Sequence, residues 1–418
     1  MITPQSRTVA IIAALDTKGA EAGFVADVIR ERGHRTLIID VGIFEPLGDG
    51  AVDIPNSEVA HEGGVELATL RHNSNKAEAM DTMTRGAAAV ASRLFGARRF
   101  DAIVGLGGSA GTAIGSSAMR ALPVGVPKVL VSTVAAGNIR PYVGTKDLTL
   151  MYSVVDIAGL NRISTRILAN AAGAVAGMVE TQIPERKLRP LIVASMFGNT
   201  TACVDRARAL LETTDFEVMV FHATGTGGAT MESLIADGYA DGVLDITTTE
   251  WADELCGGVF SAGPDRLDAA ALAGVPQVVA PGCLDMVNFG PPESVPPQYA
   301  ARQLYRWNPS VTLMRTDVDE NRKLGKIIAS KINQSTGPVA VLLPLGGVSQ
   351  LDCAGREFWS PEADGALFDA IRANVRSEIP VIELAANIND PEFADRAANL
   401  LLNLILTHNK TLLFAHPH

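Results

Sequence analysis

The segment Gly105-Leu106-Gly107-Gly108-Ser109-Ala110-Gly111-Thr112 follows a short apolar run, Ala102 to Leu106, and opens a helical pattern that continues through Met119. Glycines at such a junction let the main chain approach a ligand closely, and the helix behind them offers unpaired N–H groups to phosphate oxygens. Gly107, Gly108, Ser109, Gly111 and Thr112 therefore read as a phosphate cradle, although the same glycines also serve a tight turn from strand to helix. A Walker A loop needs Gly-Lys-Ser/Thr, and this loop has no lysine. Gly105, Gly107 and Ala110 match the dinucleotide spacing Gly-x-Gly-x-x-Ala, but Val124 to Val131, about 20 residues on, carries no acid for a ribose hydroxyl. A nicotinamide dinucleotide remains an alternative ligand with that acid missing.

Two further turns follow apolar runs in the same half of the chain, Asp16-Thr17-Lys18 and Thr133-Val134-Ala135-Ala136-Gly137-Asn138. Both are expected at the carboxyl ends of parallel strands, where they would line one crevice with the glycine loop. Lys18 would supply the charge that the loop lacks, Thr17, Ser109, Thr112 and Thr133 hydroxyls, and Asp16 a hold on a ribose or a magnesium ion. Ala135, Gly137 and Asn138 extend this set through the third turn. Taken alone, Lys18 reads as an ordinary surface residue of a helix start. Gly144, Asp147 and Asn161 add groups that could read a base or sugar, and Asp147 and Asn161 fit turn or helix-cap positions as well.

In the second half His222 precedes another glycine-rich turn, Ala223 to Gly228, while Asp245 and Glu250 flank Ile246-Thr247-Thr248-Thr249. Asp285 and Arg315 add an acid and a guanidinium suited to an anionic ligand. His222 is a candidate general acid or base with Asp245, Glu250 or Asp285 as its orienting partner, and a structural hydrogen bond is the alternative. There is no His-Glu-x-x-His, no Gly-x-Ser-x-Gly elbow and no kinase or helix-turn-helix signature.

These turns need strands and helices to hold them. Thr8 to Leu15 is an apolar run of strand length, and Phe24, Val25, Val28 and Ile29 recur on one helical stripe before Gly33. Thr36 to Val41 is the next strand, with Asp40 at its ligand-facing end. Residues 42 to 72 lack periodicity and read as an irregular excursion, followed by helices over Lys76 to Phe95 and Asn161 to Glu180, with a strand at Lys128 to Ser132 between them. Ile183 to Pro190 has the charged, proline-bounded composition of a linker. Beyond it, Leu191 to Ser195, Val218 to Phe221, Gly242 to Ile246, Gln277 to Ala280, Val339 to Leu343 and Val381 to Leu384 alternate with helix-like segments. The expectation is two α/β domains, 1–184 and 190–418, with mostly parallel sheets and a ligand cleft at the strands' carboxyl ends.

Composition bounds the rest. The 418 residues carry 35 Lys and Arg against 46 Asp and Glu, a formal charge of −11, so no basic surface for nucleic acid or acidic lipid is expected. Hydrophobic residues make up 47% but aromatics only 5%, which places the apolar mass in the small and branched side chains of buried strands. Cys203, Cys256, Cys283 and Cys353 form no Cys-x-x-Cys pair and read as reduced thiols. Met1 to Arg7 lacks a signal-peptide pattern and Ile167 to Val179 is too short to span a bilayer, so a cytoplasmic protein is expected.

The ordered series ALDTKGAE, VGLGGSAGT, STVAAGNIRPYVGTKD, VVDIAGLN, FHATGTGG, DGVLDITTTEWADE, LDMVNFGP, LMRTDVDEN and INDPEFAD spans essentially the whole chain. In it the chain resembles the ATP-binding family of the tomato mosaic virus resistance protein N-terminal domain and its bacterial and fungal relatives. That resemblance implies two Rossmann-like domains, ATP with or without Mg2+ in the first, and a homodimer. It places nucleotide contacts at Asp16, Thr17, Lys18, Gly107 to Thr112, Thr133 to Asn138, Gly144, Asp147 and Asn161. It implies no defined reaction, and with only a short stretch from Thr407 to His418 the extra domain of full-length plant members is not expected here. The expected function is nucleotide binding coupled to acting on or sensing a small anionic metabolite in an interdomain cleft. The alternative is a regulatory or protein-binding module that uses ATP as a structural ligand.

Overall fold

Continuous apolar runs become strands buried on both faces, because each side of a parallel sheet is covered by the helices that connect its strands. The computed structural model describes residues 6–47, 51–182 and 188–415. The N-terminal residues 1–5 and the linker residues 183–187 discussed above lie outside them. The chain divides into two compact units, Met1–Glu185 and Arg186–His418.

The first unit runs β1 (Thr8–Ala13), α1 (Leu15–Glu31), β2 (Arg35–Asp40), α2 (Asn56–Glu62), α3 (Leu67–Asn73), α4 (Lys76–Gly96), β3 (Ala102–Gly107), α5 (Ser109–Arg120), β4 (Lys128–Ser132), α6 (Arg140–Val143), β5 (Thr149–Tyr152) and α7 (Arg162–Glu180). Its strands form one parallel sheet in the order β2-β1-β3-β4-β5. Alternate side chains of β1 point to opposite faces: Val9, Ile11 and Ala13 pack with α1 and α7, Ala10 and Ile12 with α4 and α5. The stretch 42–72, read as irregular, contains the two short helices α2 and α3, whose Val59, Ala60, Leu67 and Leu70 join the α4 face of the core. Seven residues each, they are too brief for a helical period to stand out.

The second unit runs β6 (Leu191–Met196), α8 (Thr201–Glu212), β7 (Glu217–His222), α9 (Thr226–Ala236), β8 (Gly242–Thr247), α10 (Glu250–Cys256), α11 (Asp268–Ala273), β9 (Gln277–Gly282), β10 (Met286–Phe289), β11 (Leu304–Asn308), β12 (Val311–Arg315), α12 (Val318–Ile332), β13 (Val339–Pro344), α13 (Pro361–Asn374), β14 (Val381–Leu384) and α14 (Pro391–Ala415). Six strands make a parallel sheet in the order β14-β13-β9-β8-β6-β7, with α8 and α14 on one face and α9, α11, α12 and α13 on the other. The fold class is therefore α/β with a parallel sheet in each unit. A small antiparallel sheet, β10-β12-β11, was not apparent in the sequence. Its strand β10 begins directly after Asp285.

All four cysteines are free thiols, and burial pushes Cys203 and Cys256 up to about 12, so neither is poised as a nucleophile. Among the described residues no helix is long and apolar enough to cross a membrane.

One glycine fixes the turn between β3 and α5. A Cβ at Gly107 would lie 2.6 Å from Gly111 Cα, main chain against main chain. Gly107→Ala is expected to destabilise the first unit by about 1–3 kcal/mol, read as a lowered urea midpoint at unchanged m-value.

Candidate functional site

In the first sheet the chain leaves β1 toward β2 through α1, and leaves β3 toward β4 through α5, in opposite directions along the sheet. Helices α1 and α5 accordingly cover opposite faces. Where crossovers diverge in this way, the carboxyl ends of the two neighbouring strands open a crevice, the usual ligand position in open α/β sheets. Residues 14–18 and 107–111 occupy its two sides.

On the α5 side Gly108 takes the N-cap position and contributes no side-chain cap. Among the described residues the N–H groups of Ser109, Ala110 and Gly111 have no hydrogen-bond partner, and neither has the Ser109 hydroxyl. A Cβ at Gly108 would meet only Thr133 Oγ1, at 3.8 Å, so the space in front of the loop is open. Thr133 N donates to Gly107 O at 3.3 Å, which sets the β4 turn beside the glycine loop. The helix dipole and three free donors together favour an anion here.

On the α1 side Asp16, Thr17 and Lys18 lie within the first turn of the helix, not in a preceding loop. Lys18 departs from helical geometry, with φ −128° and ψ 19°, and its ammonium makes no ion pair or hydrogen bond among the described residues. Thr17 Oγ1 donates to Ala14 O at 3.3 Å and keeps its lone pairs free. Asp16 Oδ2 accepts from Ile43 N and Phe44 N, both at 3.0 Å, so one of its oxygens ties down the chain after β2.

Several expected ligand groups are used within the fold instead. Thr112 is fully buried, and its hydroxyl pairs with Ser132 Oγ at 2.7 Å because a residue one turn into α5 faces the sheet. Asp40 Oδ1 accepts from Leu15 N and Gly42 N, holding the start of α1, and burial raises its pKa. Asp147 accepts from the buried Lys128 ammonium at 2.8 Å and from Gly125 N. Asn161 caps α7 in a capping box with Ser164. Gly144 adopts φ +57° after α6, packed on the Arg120 side chain, which donates to Pro141 O and Tyr142 O. Ala135 is half-buried, Gly137 and Asn138 are exposed, and Asn138 Oδ1 accepts from Arg140 N.

The second unit corrects the expected acid–base set more sharply. Arg266, 1% exposed, sends Nη1 and Nη2 to Asp245 at 2.6 and 2.7 Å, Nε to Glu250 at 2.7 Å and Nη1 to Glu232 at 3.0 Å. Burial alone would lower the pKa of this guanidinium, but the three carboxylates hold it well above the usual value. Burial raises Glu232 and Glu250, since three acids share one cation. Asp245 also accepts from Ser195 Oγ at 2.6 Å across the divergence between β6 and β8, which closes this second crevice with side chains. Asp245 and Glu250 are thus structural ligands of Arg266. His222 ends the edge strand β7 exposed, with no hydrogen bond from its ring to any acid among the described residues.

Asp285 and Arg315 are brought together because Met286, the residue after Asp285, pairs with Arg315 across β10 and β12. Both are buried in a second acid-rich cluster. Arg315 Nη2 reaches Asp364 at 2.6 Å and Asp352 at 3.5 Å, and Ser349 Oγ donates to Asp285 at 2.8 Å. Burial and the neighbouring Asp352 charge push Asp285 to about 7 and Asp364 to about 8, against the pull of Arg315. Burial also raises Asp352, against the pull of Arg315.

Two cavities stand out. One of about 550 Å3 runs along α1 and is lined by Leu15, Thr17, Glu21, Ile38, Leu47 and Gly159 among others. The other, about 850 Å3, lies in the second unit between the start of α8 and the chain after β13 and β14, with Thr201, Gln350, Arg356 and Asn387 on its wall. None of His222, Asp245, Glu250, Asp285 or Arg315 lines it. Among the described residues no group of three or more His, Cys, Asp or Glu could hold a metal ion.

Residues 7–184 match the N-terminal domain, and residues 189–405 the C-terminal domain, of a family described as Uncharacterised protein family (UPF0261). The chain belongs to this family. A UPF0261 protein of Clostridium tetani is 49% identical over 404 residues, covering 96% of this chain and 99% of its own length. One from Mesorhizobium japonicum is 44% identical over 396 residues, 94% of this chain and 98% of its own. The ToMV susceptible protein tm-1(GCR26) of Solanum lycopersicum is 37% identical over 430 residues, covering 97% of this chain and 57% of the tomato protein.

Sequence reasoning missed Glu21, Glu232, Arg266, Asp352 and Asp364. For Glu21 a signal existed, because it lies one residue before the buried Ala22 and four before the buried Val25, on the apolar stripe of α1. For the others the partners are far apart in the chain and no local pattern joins them. Removing the cation from three buried acids should be severe: Arg266→Met is expected to cost about 3–5 kcal/mol in denaturant unfolding. The raised acids also fix a pH trend. Asp285 and Asp364 hold protons that the unfolded chain, with a pKa near 3.8, has released, so stability falls as pH rises from about 4 to about 8 and levels beyond. Asp364→Asn should flatten this slope in melting curves taken across that range.

Proposed function

We propose that the chain is a nucleotide-binding protein that holds ATP at the divergence of β1 and β3, with the phosphates on the α5 N-terminus. The observation that supports this reading is that, among the described residues, the N–H groups of Ser109 to Gly111 after β3 have no partner, and neither has the Lys18 ammonium after the neighbouring strand β1. Main-chain donors and one lysine suit a phosphate chain, and the open face of Gly108 leaves room for it. Thr17, Ser109 and Thr133 would donate or accept at the phosphates, and a Mg2+ ion would reach the site on the phosphates themselves.

The nucleotide serves as a ligand and not as a substrate for the second unit's acids. Asp245, Glu250, Asp285 and Arg315 lie in buried ion clusters and His222 lacks an orienting acid, which favours regulation over turnover. A small anionic metabolite would be sensed in the cavity walled by Thr201, Gln350 and Arg356, whose guanidinium has no partner among the described residues.

Calorimetric titration tests the reading. ATP should bind saturably without phosphate release, and at a hundredfold excess over Kd should stabilise the chain by about 2.7 kcal/mol. Gly108→Val projects into open space and should abolish binding with the fold intact, while Lys18→Met should weaken it about tenfold or more. Unchanged ATP affinity in both variants overturns the assignment.

A further inference from the structure

Resting on that placement of the phosphates, we infer that the cavity beside α1 takes the nucleobase, and that Glu21 reads an exocyclic amino group on it. The sheet order β2-β1-β3 sets the direction. A ligand whose phosphates sit over the end of β3 and whose chain passes the first turn of α1 next meets the flank of α1 and the stretch after β2. The 550 Å3 cavity lies there, with Thr17, on the phosphate side, in its wall. Its volume falls in the ordinary range for small-ligand pockets, about 300–1,000 Å3.

The walls suit a flat, largely apolar group. Leu15 and Ile38 come from below, Leu47 from the chain after β2, and Gly19 and Gly23 leave the helix surface bare. Leu47 O would lie 2.4 Å from a Cβ at Gly19, so that segment packs directly on the helix and closes one end. At Gly23 and Gly159 a Cβ would meet nothing within 4 Å, which leaves open space on the cavity's two sides.

One polar group in the wall is unsatisfied. Glu21 is 2% exposed, its Oε1 accepts from Gly159 N at 2.7 Å, and its Oε2 has no partner among the described residues. With Oε1 held by Gly159 N, the Glu21 carboxylate in this largely apolar wall has an oxygen left to accept from a donor on a ligand. The amino group of adenine is such a donor, whereas the carbonyl oxygen at the same position of hypoxanthine would face Oε2 repulsively. The inferred site therefore prefers ATP to ITP.

Titrations with ATP, ITP and inorganic triphosphate on three proteins separate the possibilities. Wild type should bind ATP at least about tenfold more tightly than ITP, as expected for a lost hydrogen bond to a buried charged group. Gly23→Leu fills the cavity, and replacing a glycine inside a helix does not threaten folding. It should lower ATP affinity to that of inorganic triphosphate and leave triphosphate binding unchanged. Glu21→Gln keeps an acceptor for Gly159 N but turns the other terminus into a donor, so the ATP-to-ITP preference should collapse or invert. Unchanged ATP affinity in Gly23→Leu, with triphosphate still bound, overturns the base site and leaves the phosphate site standing. Failure of wild type to bind both ATP and triphosphate overturns the two together.

Discussion

Two adjacent parallel strands, β1 and β3, send their chains in opposite directions along the sheet, and the candidate site follows from that divergence. The helices that follow must cover opposite faces, so their first turns stand apart and, among the described residues, nothing caps α5 from across the gap. The partnerless donors at Ser109 to Gly111 are a consequence of topology, and Gly107 and Gly108 keep side chains out of their way.

The second sheet has the same divergence, between β6 and β8, but fills it. Ser195, Asp245 and Thr247 bond across the gap and Arg266 closes it from within the core. Twice in this unit three acids surround one buried guanidinium. Hydrophobic residues of equal volume would often be as stable, so such clusters are poor evidence of a stability role. They do fix particular segments relative to one another: Glu232 holds the start of α11, Glu250 holds the Gly225 turn, and Arg315 ties the β12 strand to Asp364 at the start of α13.

Most strands were legible because a strand buried on both faces must be a continuous apolar run, and TVAIIA, KVLVS and VAVLLP could hardly be anything else. The antiparallel sheet was hidden for the opposite reason: β11, Leu-Tyr-Arg-Trp-Asn, is largely exposed and carries no such run. Glycine turns were visible at strand ends, but whether a hydroxyl or carboxylate beside them points outward depends on helical phase. Thr112 faces the core while Ser109, three residues earlier, faces solvent. Acids and cations paired over long separations, such as Asp245 with Arg266, leave no local trace, so polar residues at strand ends look like ligand groups until their partners are located.

The claim on which the rest turns is that main-chain amides at the start of α5 bind phosphate. Amide chemical-shift mapping of the 15N-labelled chain during addition of ATP tests it directly. The account predicts the largest downfield shifts at Ser109, Ala110 and Gly111, with smaller ones at Thr17 and Lys18. Shifts confined to the chain around Thr201 and Gln350, with Ser109 to Gly111 unmoved, would contradict it.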